Sequence, residues 1–278
     1  MIGVFDSGHG GLTVLRALHQ HLPTHDFLYL GDHADAPYGD RRPEEIYELT
    51  LAGVSRLFDR GPRLVILACN TASAVALRRL QQTWLEQAWP GRRVLGVLVP
   101  MVEAVTGVPW MADVAASRQA GEARTIGIFA TSRTVDSGAY PREIAARAPE
   151  VKVVQQACPD LVPLIEQGAG HDRLQDAVRR YADALMIRLD GVAPQAVMLG
   201  CTHYPLAADL FTTALPAGVE VLSQPDLTAK SLTAYLQRHP QFDRPGRGQV
   251  EFMTTGDAAR ITDLATRFFG KPAHFEKV

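Results

Sequence analysis

Residues 65–71, VILACNT, carry the pattern that decides the fold prediction, because residues 197–203, VMLGCTH, repeat it later in the chain. Each stretch is a short apolar run that ends in a small residue and a cysteine, Cys69 in the first and Cys201 in the second. Continuous apolar runs of this length are typical of buried strands in a parallel sheet. The pattern predicts two β-strands that each present a thiol at their carboxyl end.

A second pair of stretches extends the repeat. Residues 2–7, IGVFDS, are matched by residues 126–131, IGIFAT, and each precedes its cysteine stretch by a similar interval. The order is the same both times: a strand with a small polar end, and then a strand that ends in cysteine. Self-similarity in this order indicates two similar α/β domains.

Apolar runs alternate with amphipathic stretches along the chain, which is typical of βαβ units and a mostly parallel sheet. We predict strands at residues 2–5, 27–30, 64–67, 94–99, 126–129, 151–154, 196–199, 219–222 and 250–253, with Pro100 ending the fourth. We predict helices at residues 12–21, 71–84, 171–189 and from about 206, and a loop with a short helix at 107–124. The predicted fold class is α/β, with two Rossmann-like or flavodoxin-like domains related by a pseudo-twofold axis.

The two cysteines are expected to share one site. In open α/β sheets, ligands bind at the carboxyl ends of the strands. Two related domains that face each other would therefore place Cys69 and Cys201 across one cleft. We predict the active site there.

The bulk composition excludes several classes of protein. The chain has 278 residues, of which 46% are hydrophobic and 21% charged, as in ordinary globular proteins. A net charge of −2 argues against nucleic-acid and anionic-membrane partners, which need a basic excess. The sequence shows neither a signal peptide nor an apolar run long enough to span a membrane. Three widely spaced cysteines suit a reducing compartment, so we expect a cytoplasmic protein.

The cysteine stretches also predict a chemistry. Asn70, Thr71 and Thr202 are good helix-capping residues, so each thiol is expected at a helix N-terminus, where the helix dipole favours thiolate. Two equivalent thiols suit the removal of a proton from one face of a carbon and its delivery to the other. Because an isolated buried cysteine usually acts as a small hydrophobe, Cys158, followed by Pro159, is expected to be structural.

Two further motifs are candidate parts of the site. Residues 6–11, DSGHGG, form a glycine-rich turn between a strand and a helix, where Asp6 could assist Cys69 or bind an ammonium group. Residues 31–39 form a rigid loop that holds Tyr38 in place. In the second half, His203 could tune the thiol of Cys201, and Glu166 could orient His203. Each motif taken alone is also compatible with a plain structural turn.

At these residues the chain resembles the aspartate/glutamate racemase family, and the resemblance extends over nearly its whole length. The matching pieces are DSG at 6–8 with Gly10 and Gly11, GD at 31–32, PYG at 37–39, CNT at 69–71, CTHYP at 201–205, Tyr140 after Ser137, Glu166, and TTGD at 254–257. The two cysteine motifs together are specific to the family.

The resemblance implies interconversion of L- and D-glutamate without pyridoxal phosphate, metal or any other cofactor, to supply D-glutamate for peptidoglycan. Cys69 and Cys201 would be the two bases, with Asp6 assisting the first and His203 and Glu166 the second. The substrate site would be lined by Asp6, Ser7, Tyr38, Gly39, Asn70, Thr71, Thr202 and His203. One domain would comprise residues 1–97 and 206–278 and the other residues 98–205. A homodimer is possible on this resemblance and stays an open expectation. Two parts of the sequence depart from the family pattern, His9 and residues 223–226.

Five alternatives stay open at this point. A related racemase acting on aspartate or a hydantoin would carry the same cysteine pair. A pyridoxal-dependent enzyme needs a Schiff-base lysine, but none of the four lysines lies in a motif. A metal site could be built from both thiols, His203 and Asp6, but these residues lack a typical ligand spacing. A dinucleotide-binding module would need the glycine fingerprint that starts at Gly8, but Thr13 stands in place of its third glycine. A non-catalytic ligand-binding protein on the same fold is the remaining alternative.

Overall fold

A computed structural model describes residues 1–109 and 124–278. The chain divides into two compact units. The first unit comprises Met1–Val97 and Pro225–Val278, and the second comprises Leu98–Gln224. The predicted loop and short helix at residues 107–124 fall almost entirely on residues 110–123, outside the described residues.

The described secondary structure alternates strands and helices. The strands are β1 (Ile2–Asp6), β2 (Phe27–Gly31), β3 (Leu64–Leu67), β4 (Arg93–Gly96), β5 (Thr125–Ala130), β6 (Lys152–Ala157), β7 (Ala196–Gly200), β8 (Glu220–Leu222), β9 (Val250–Thr254) and β10 (Phe275–Lys277). The α-helices are α1 (Gly11–His21), α2 (Pro43–Asp59), α3 (Asn70–Val75), α4 (Leu77–Arg79), α5 (Leu85–Ala88), α6 (Leu98–Thr106), α7 (Ser132–Asp136), α8 (Ala139–Arg147), α9 (Leu161–Glu166), α10 (His171–Arg188), α11 (Ala208–Ala214), α12 (Gln224–Arg238) and α13 (Ala258–Phe269). Short 3₁₀ helices occupy Tyr38–Asp40 and Tyr204–Ala207, and a π-helical turn occupies Leu80–Trp84.

The first unit is built on a six-stranded parallel sheet with the order β10-β9-β2-β1-β3-β4. Its central strands β1, β2 and β3 are buried along their whole length, as expected for a parallel sheet covered on both faces. The register pairs Phe5 with Leu30 on one side and with Leu67 on the other. The carboxyl ends of these three strands therefore lie side by side at one edge of the sheet.

The second unit is built on a four-stranded parallel sheet with the order β6-β5-β7-β8. Strand β7 is fully buried between β5 and β8, and Phe129 on β5 packs against Phe211 on α11 with 4.8 Å between ring centroids. The prediction of an α/β protein with two parallel sheets is thus confirmed. Residues 206–224 lie in the second unit instead of the first, because β8 hydrogen-bonds to β7 in that unit's sheet.

The observed secondary structure differs from the predicted one in several places, including the following. The fourth strand ends at Gly96 and not near Pro100, which lies on the first turn of α6, where a proline costs no helical hydrogen bond. The predicted helix at 71–84 is interrupted by the π-helical turn at Leu80–Trp84. The edge strand β10 was not predicted, because only Phe275 in it is apolar.

Candidate functional site

The thiol of Cys69 lies directly after β3 and is the N-cap of α3. Its sulfur accepts a hydrogen bond from the backbone N–H of Ala72 at 3.4 Å. The hydroxyl of Ser7 lies 3.5 Å from the same sulfur. Cys69 is 5% exposed, so both contacts are made at a nearly buried atom. As predicted, a helix begins immediately after this cysteine, and the sulfur itself supplies the capping acceptor.

The glycine-rich turn places Asp6 and Ser7 beside Cys69. Asp6 is the last residue of β1 and is fully buried, and its Oδ2 accepts the backbone N–H of Gly8 at 2.9 Å. A Cβ on Gly11 would lie 2.5 Å from the Cβ of Asp6, so only glycine fits there. Pairing of β1 with β3 brings the turn to the thiol.

The loop that carries Tyr38 is fixed by a buried carboxylate. The hydroxyl of Tyr38 donates to Oδ2 of Asp32 at 2.5 Å, and the hydroxyl of Thr255 donates to Oδ1 of Asp32 at 2.7 Å. Burial and the adjacent charge of Asp32 raise the pKa of Tyr38 far above its ordinary value. The ring of Tyr38 belongs to the same apolar cluster as Cys69, so this loop forms part of the thiol's surroundings, with Gly39 on the same 3₁₀ turn.

The remaining predicted residues of the first unit follow the thiol on α3. Asn70 and Thr71 form the first turn of that helix, and both are almost completely buried. The predicted residues that the first unit brings together around one thiol are Asp6, Ser7, Tyr38, Gly39, Cys69, Asn70 and Thr71.

The second unit contains a chain of polar contacts that ends at the other thiol. Nδ1 of His203 lies 3.8 Å from the sulfur of Cys201, and Nε2 of the same ring lies 2.8 Å from Oε1 of Glu166. Cys201 follows the end of β7, and Glu166 is the last residue of α9. Thr202, between Cys201 and His203, is also buried. The arrangement that the sequence suggested, with Glu166 orienting His203 against Cys201, is present in this unit.

The electrostatics of this chain of contacts favour a charged imidazole. Burial of His203 opposes its protonation, but the hydrogen bonds to Cys201 and Glu166 and their negative charges raise its pKa to about 10. Two neighbouring groups have raised pKa values. Burial and the charge of Cys201 raise the pKa of Cys158. Burial and the charges of Cys158 and Cys201 raise the pKa of Tyr204. At neutral pH the ring of His203 is therefore a cation held between a carboxylate and a sulfur.

The surroundings of Cys201 differ from the prediction in one respect. No α-helix begins directly after this cysteine: a turn follows it, then the 3₁₀ helix Tyr204–Ala207, and only then α11. Pro205 at the start of the 3₁₀ helix fixes where the helical backbone begins. Thr202 is therefore not a helix cap, and the positive charge near Cys201 comes from His203 instead of a helix terminus.

Two polar contacts beside the thiols were not predicted as functional. Asp32 directly follows β2 at the edge of the sheet where β1 ends in Asp6, and that position was the available signal for it. In the second unit, Nε2 of Gln224 donates to the hydroxyl of Tyr140 at 3.1 Å, and both residues are fully buried. Gln224 lies in the stretch that departs from the family pattern, so no motif indicated its role.

His9, the other departure from the family pattern, packs against the end of the chain. Its ring lies edge-on to that of His33, with 4.3 Å between centroids, and 6.0 Å from that of Phe268. Nδ1 of His33 lies 2.9 Å from the hydroxyl of Thr254. The imidazole within the glycine-rich turn is therefore part of a packed ring cluster in the first unit.

Two features are absent from residues 1–109 and 124–278. No group of three or more His, Cys, Asp or Glu side chains in these ranges is arranged to hold a metal ion. None of the helices described there is long and apolar enough to cross a membrane.

Comparison with known proteins decides the family. The Asp/Glu/Hydantoin racemase family matches residues 2–232. The chain belongs to this family. A glutamate racemase of Caulobacter sp. (strain K31) is 49% identical to this racemase family member, and the alignment covers 99% of each chain.

Solved structures agree with this membership over the whole chain. Glutamate racemase isoform RacE1 from Bacillus anthracis has a TM-score of 0.83 and 28% identity, covering 100% of this family member and 97% of that chain. Glutamate racemase from Francisella tularensis, solved in complex with D-glutamate, has a TM-score of 0.83 and 27% identity. The match covers 100% of this family member and 96% of the Francisella chain. The two-sheet α/β fold described above is thus the fold of solved glutamate racemases.

Proposed function

We propose that the protein is a glutamate racemase that inverts the Cα of glutamate with two thiols and no cofactor. The observation that carries the proposal is that, in a member of this family, each unit presents a nearly buried cysteine with a polar partner. Ser7 lies at the sulfur of Cys69, and His203 lies at the sulfur of Cys201. The supply of D-glutamate for peptidoglycan follows from this activity.

The proposed reaction moves two protons. One cysteine, as thiolate, takes the Cα proton and becomes a thiol, and the electron pair of the broken C–H bond is delocalised into the substrate carboxylate. The other cysteine, as thiol, gives its proton to the opposite face of the same carbon and becomes the thiolate. The reverse reaction exchanges these roles. General acid–base catalysis of this kind needs groups whose protons move readily at the working pH.

The polar residues around each thiol have separate roles in this proposal. Asp6 and Ser7 assist Cys69, whereas the cationic ring of His203, held by Glu166, stabilises the thiolate of Cys201. The substrate's carboxylates and ammonium group would be bound by the side chains or backbone of Asp6, Ser7, Tyr38, Gly39, Asn70, Thr71, Thr202 and His203. Because the hydroxyl of Tyr38 donates to Asp32, its contribution is to position the loop and the backbone of Gly39.

The choice of glutamate rests on the relatives. The Caulobacter protein is a glutamate racemase, and the Francisella enzyme was solved with D-glutamate bound. The alternative within the family is a racemase of aspartate or a hydantoin. A homodimer and a cytoplasmic location stay predictions from the sequence.

The test is exchange of the Cα proton in deuterated water. Purified, reduced protein is incubated with L-glutamate without added cofactor, and optical rotation and loss of the Cα proton signal are followed together. We expect both to proceed, and both to be lost in Cys69→Ser and Cys201→Ser variants. Exchange with aspartate but not glutamate would keep the mechanism and change the substrate. If no amino acid exchanges, the protein is not a racemase.

A further inference from the structure

A cavity of about 280 Å³, partly open to solvent, lies in the second unit between α9 and the N-terminal half of α10, and Cys201 is not among the residues that line it. It is lined by Asp160, Pro163, Leu164, Gln167, Arg173, Asp176, Ala177 and Arg180. The space accommodates a molecule of about ten non-hydrogen atoms, given that a water molecule occupies about 30 Å³ in the liquid.

Two of the four charged residues in the lining are already paired. Arg180 lies 3.2 Å from Oδ2 of Asp160, and Tyr181 donates a hydrogen bond to the other oxygen of that carboxylate. Although burial works in the opposite direction, the contacts with Tyr181 and Arg180 lower the pKa of Asp160. This carboxylate is thus ionised and satisfied within the wall of the cavity.

The other two charged residues have no partner within the described part of the chain. Both Arg173 and Asp176 are exposed to solvent, and they make neither an ion pair nor a side-chain hydrogen bond there. They are three residues apart on α10, so they lie on the same face of the helix. Leu164 and Ala177 beside them are buried and apolar. The cavity therefore presents one cation and one anion, separated by about one helical turn, next to an apolar surface.

We propose that this cavity binds a zwitterionic α-amino acid with an apolar side chain. The carboxylate of the ligand would pair with Arg173, its ammonium group with Asp176, and its side chain would cover Leu164 and Ala177. An anion without an ammonium group would leave Asp176 unmatched, and a cation without a carboxylate would leave Arg173 unmatched. A ligand that carries both charges on adjacent atoms can pair with both residues, whereas a ligand with one charge can pair with only one of them.

Occupancy of the cavity is coupled to the thiol of the same unit through α9. Leu164 lies two residues before Glu166 and Gln167 directly follows it. Glu166 in turn contacts the ring of His203, which lies against Cys201. A ligand seated against these residues restrains the end of α9 and changes how firmly Glu166 holds that ring. The amino acid would therefore act as an effector of kcat without competing with the substrate. This part of the inference rests on the proposed function.

Binding is tested by isothermal titration calorimetry of the full-length protein with L-valine, N-acetyl-L-valine and L-valinamide. The second ligand lacks the ammonium group and the third lacks the carboxylate. We expect saturable binding of L-valine and at least tenfold weaker binding of both derivatives. Arg173→Gln should abolish the preference for L-valine over L-valinamide, and Asp176→Asn should abolish the preference over N-acetyl-L-valine.

Matched controls on the same helix are Arg179→Gln and Asp172→Asn, which make the same charge changes outside the cavity. Both should bind L-valine as the unsubstituted protein does. Absence of binding of L-valine and L-leucine at about 10 mM would overturn the proposal. Equal weakening by the control variants would also overturn it.

The coupling is tested with racemisation assays at saturating L-valine. We expect a several-fold change in kcat with unchanged KM, and no effect of L-valine on Arg173→Gln. Binding without a change in kcat would overturn the effector role and leave the site. If glutamate is not racemised at all, the proposed function fails, but the calorimetric result still decides whether the amino-acid site exists.

Discussion

The hydroxyl of Tyr38 and Oδ2 of Asp32 are 2.5 Å apart, and both groups are buried beside the thiol of Cys69. The other oxygen of Asp32 accepts a hydrogen bond from Thr255, whose hydroxyl also accepts the backbone N–H of Ala34 at 3.1 Å. One carboxylate thereby ties the loop of the N-terminal segment to the C-terminal segment of the same unit.

We expect the Tyr38→Phe variant to lower the free energy of unfolding by about 1–3 kcal/mol, because it leaves one buried oxygen of Asp32 without its donor. Urea denaturation measures this change. Tyr47→Phe is the matched control, because the hydroxyl of Tyr47 makes no hydrogen bond within the described residues and its ring keeps the stacked Arg79. A loss below about 0.5 kcal/mol for Tyr38→Phe would show that the contact does not hold the loop.

Substitution of Glu166 by glutamine should shift the pH dependence of activity on the alkaline side. The pKa of His203 is raised from 6.5 to about 10, so the ring stays protonated through neutral pH and loses its proton as pH rises through that value. The amide of the Glu166→Gln variant would keep a hydrogen-bond acceptor but remove the negative charge, and so lower the pKa of His203. We expect the alkaline limb of kcat/KM to move down by about one pH unit or more.

The same shift predicts a pH dependence of stability. Because the pKa of His203 is raised on folding, its contribution to stability is complete below pH 6.5 and is lost as pH rises toward about 10. Over this pH window, the free energy of unfolding should decrease less steeply with pH for Glu166→Gln than for the unsubstituted protein, and denaturation at a series of pH values measures it. Titration of the His203 ring by NMR checks the cause, and an unchanged ring pKa in the variant would contradict it.

We expect the Gly53→Ala variant to destabilise the first unit by about 1–3 kcal/mol, although alanine favours a helix by about 1 kcal/mol relative to glycine. A Cβ at Gly53 on α2 would lie 2.2 Å from the ring of Phe5, which is fully buried on β1. Thermal denaturation measures the effect. Gly170→Ala is the control for the clash, because a Cβ there meets no atom within 4 Å. Gly170 is the N-cap of α10, where alanine is less favourable than glycine, so a loss of no more than about 1 kcal/mol is expected.

Cys158 is predicted to be dispensable for catalysis, unlike the other two cysteines. It is fully buried, its backbone carbonyl accepts the hydroxyl of Tyr204 at 3.2 Å, and its thiol lies 3.6 Å from a backbone carbonyl. Cys158→Ala should retain racemisation within about twofold and lose about 1–2 kcal/mol of stability from the missing sulfur. Loss of activity in a folded Cys158→Ala variant would require a role for a third thiol.

The repeated cysteine stretches were sufficient to predict the α/β class and both sheets, because β3 and β7 are central strands whose apolar runs are unbroken. The glycine-rich turn at Asp6 could also be predicted, because a strand, a glycine-rich stretch and a helix follow one another directly in the sequence. The edge strand β10 was not predicted, because it has one apolar residue. β8 was predicted as a strand, but its membership of the second sheet depends on its pairing with β7, which no local pattern reveals.

Contacts between side chains that are far apart in the chain also could not be predicted from the sequence. The bond between Thr255 and Asp32 joins residues 223 positions apart, and its existence depends on how β9 pairs with β2. Glu166 and His203 are separated by 37 positions, but the family motif contained both residues. The sequence therefore indicated which residues surround each thiol, whereas the structure was needed to show which atoms they hold.

The sulfur of Cys69 is both the proposed base and the capping acceptor of α3. A thiolate accepts a hydrogen bond more strongly than a thiol, so each proton that Cys69 gains or loses also changes how firmly the first turn of the helix is held. An electrophile that alkylates the sulfur would therefore remove the reactive thiolate and also weaken the capping hydrogen bond from Ala72. Reagents that occupy this atom can be ranked by the melting temperature of the protein, with no substrate present.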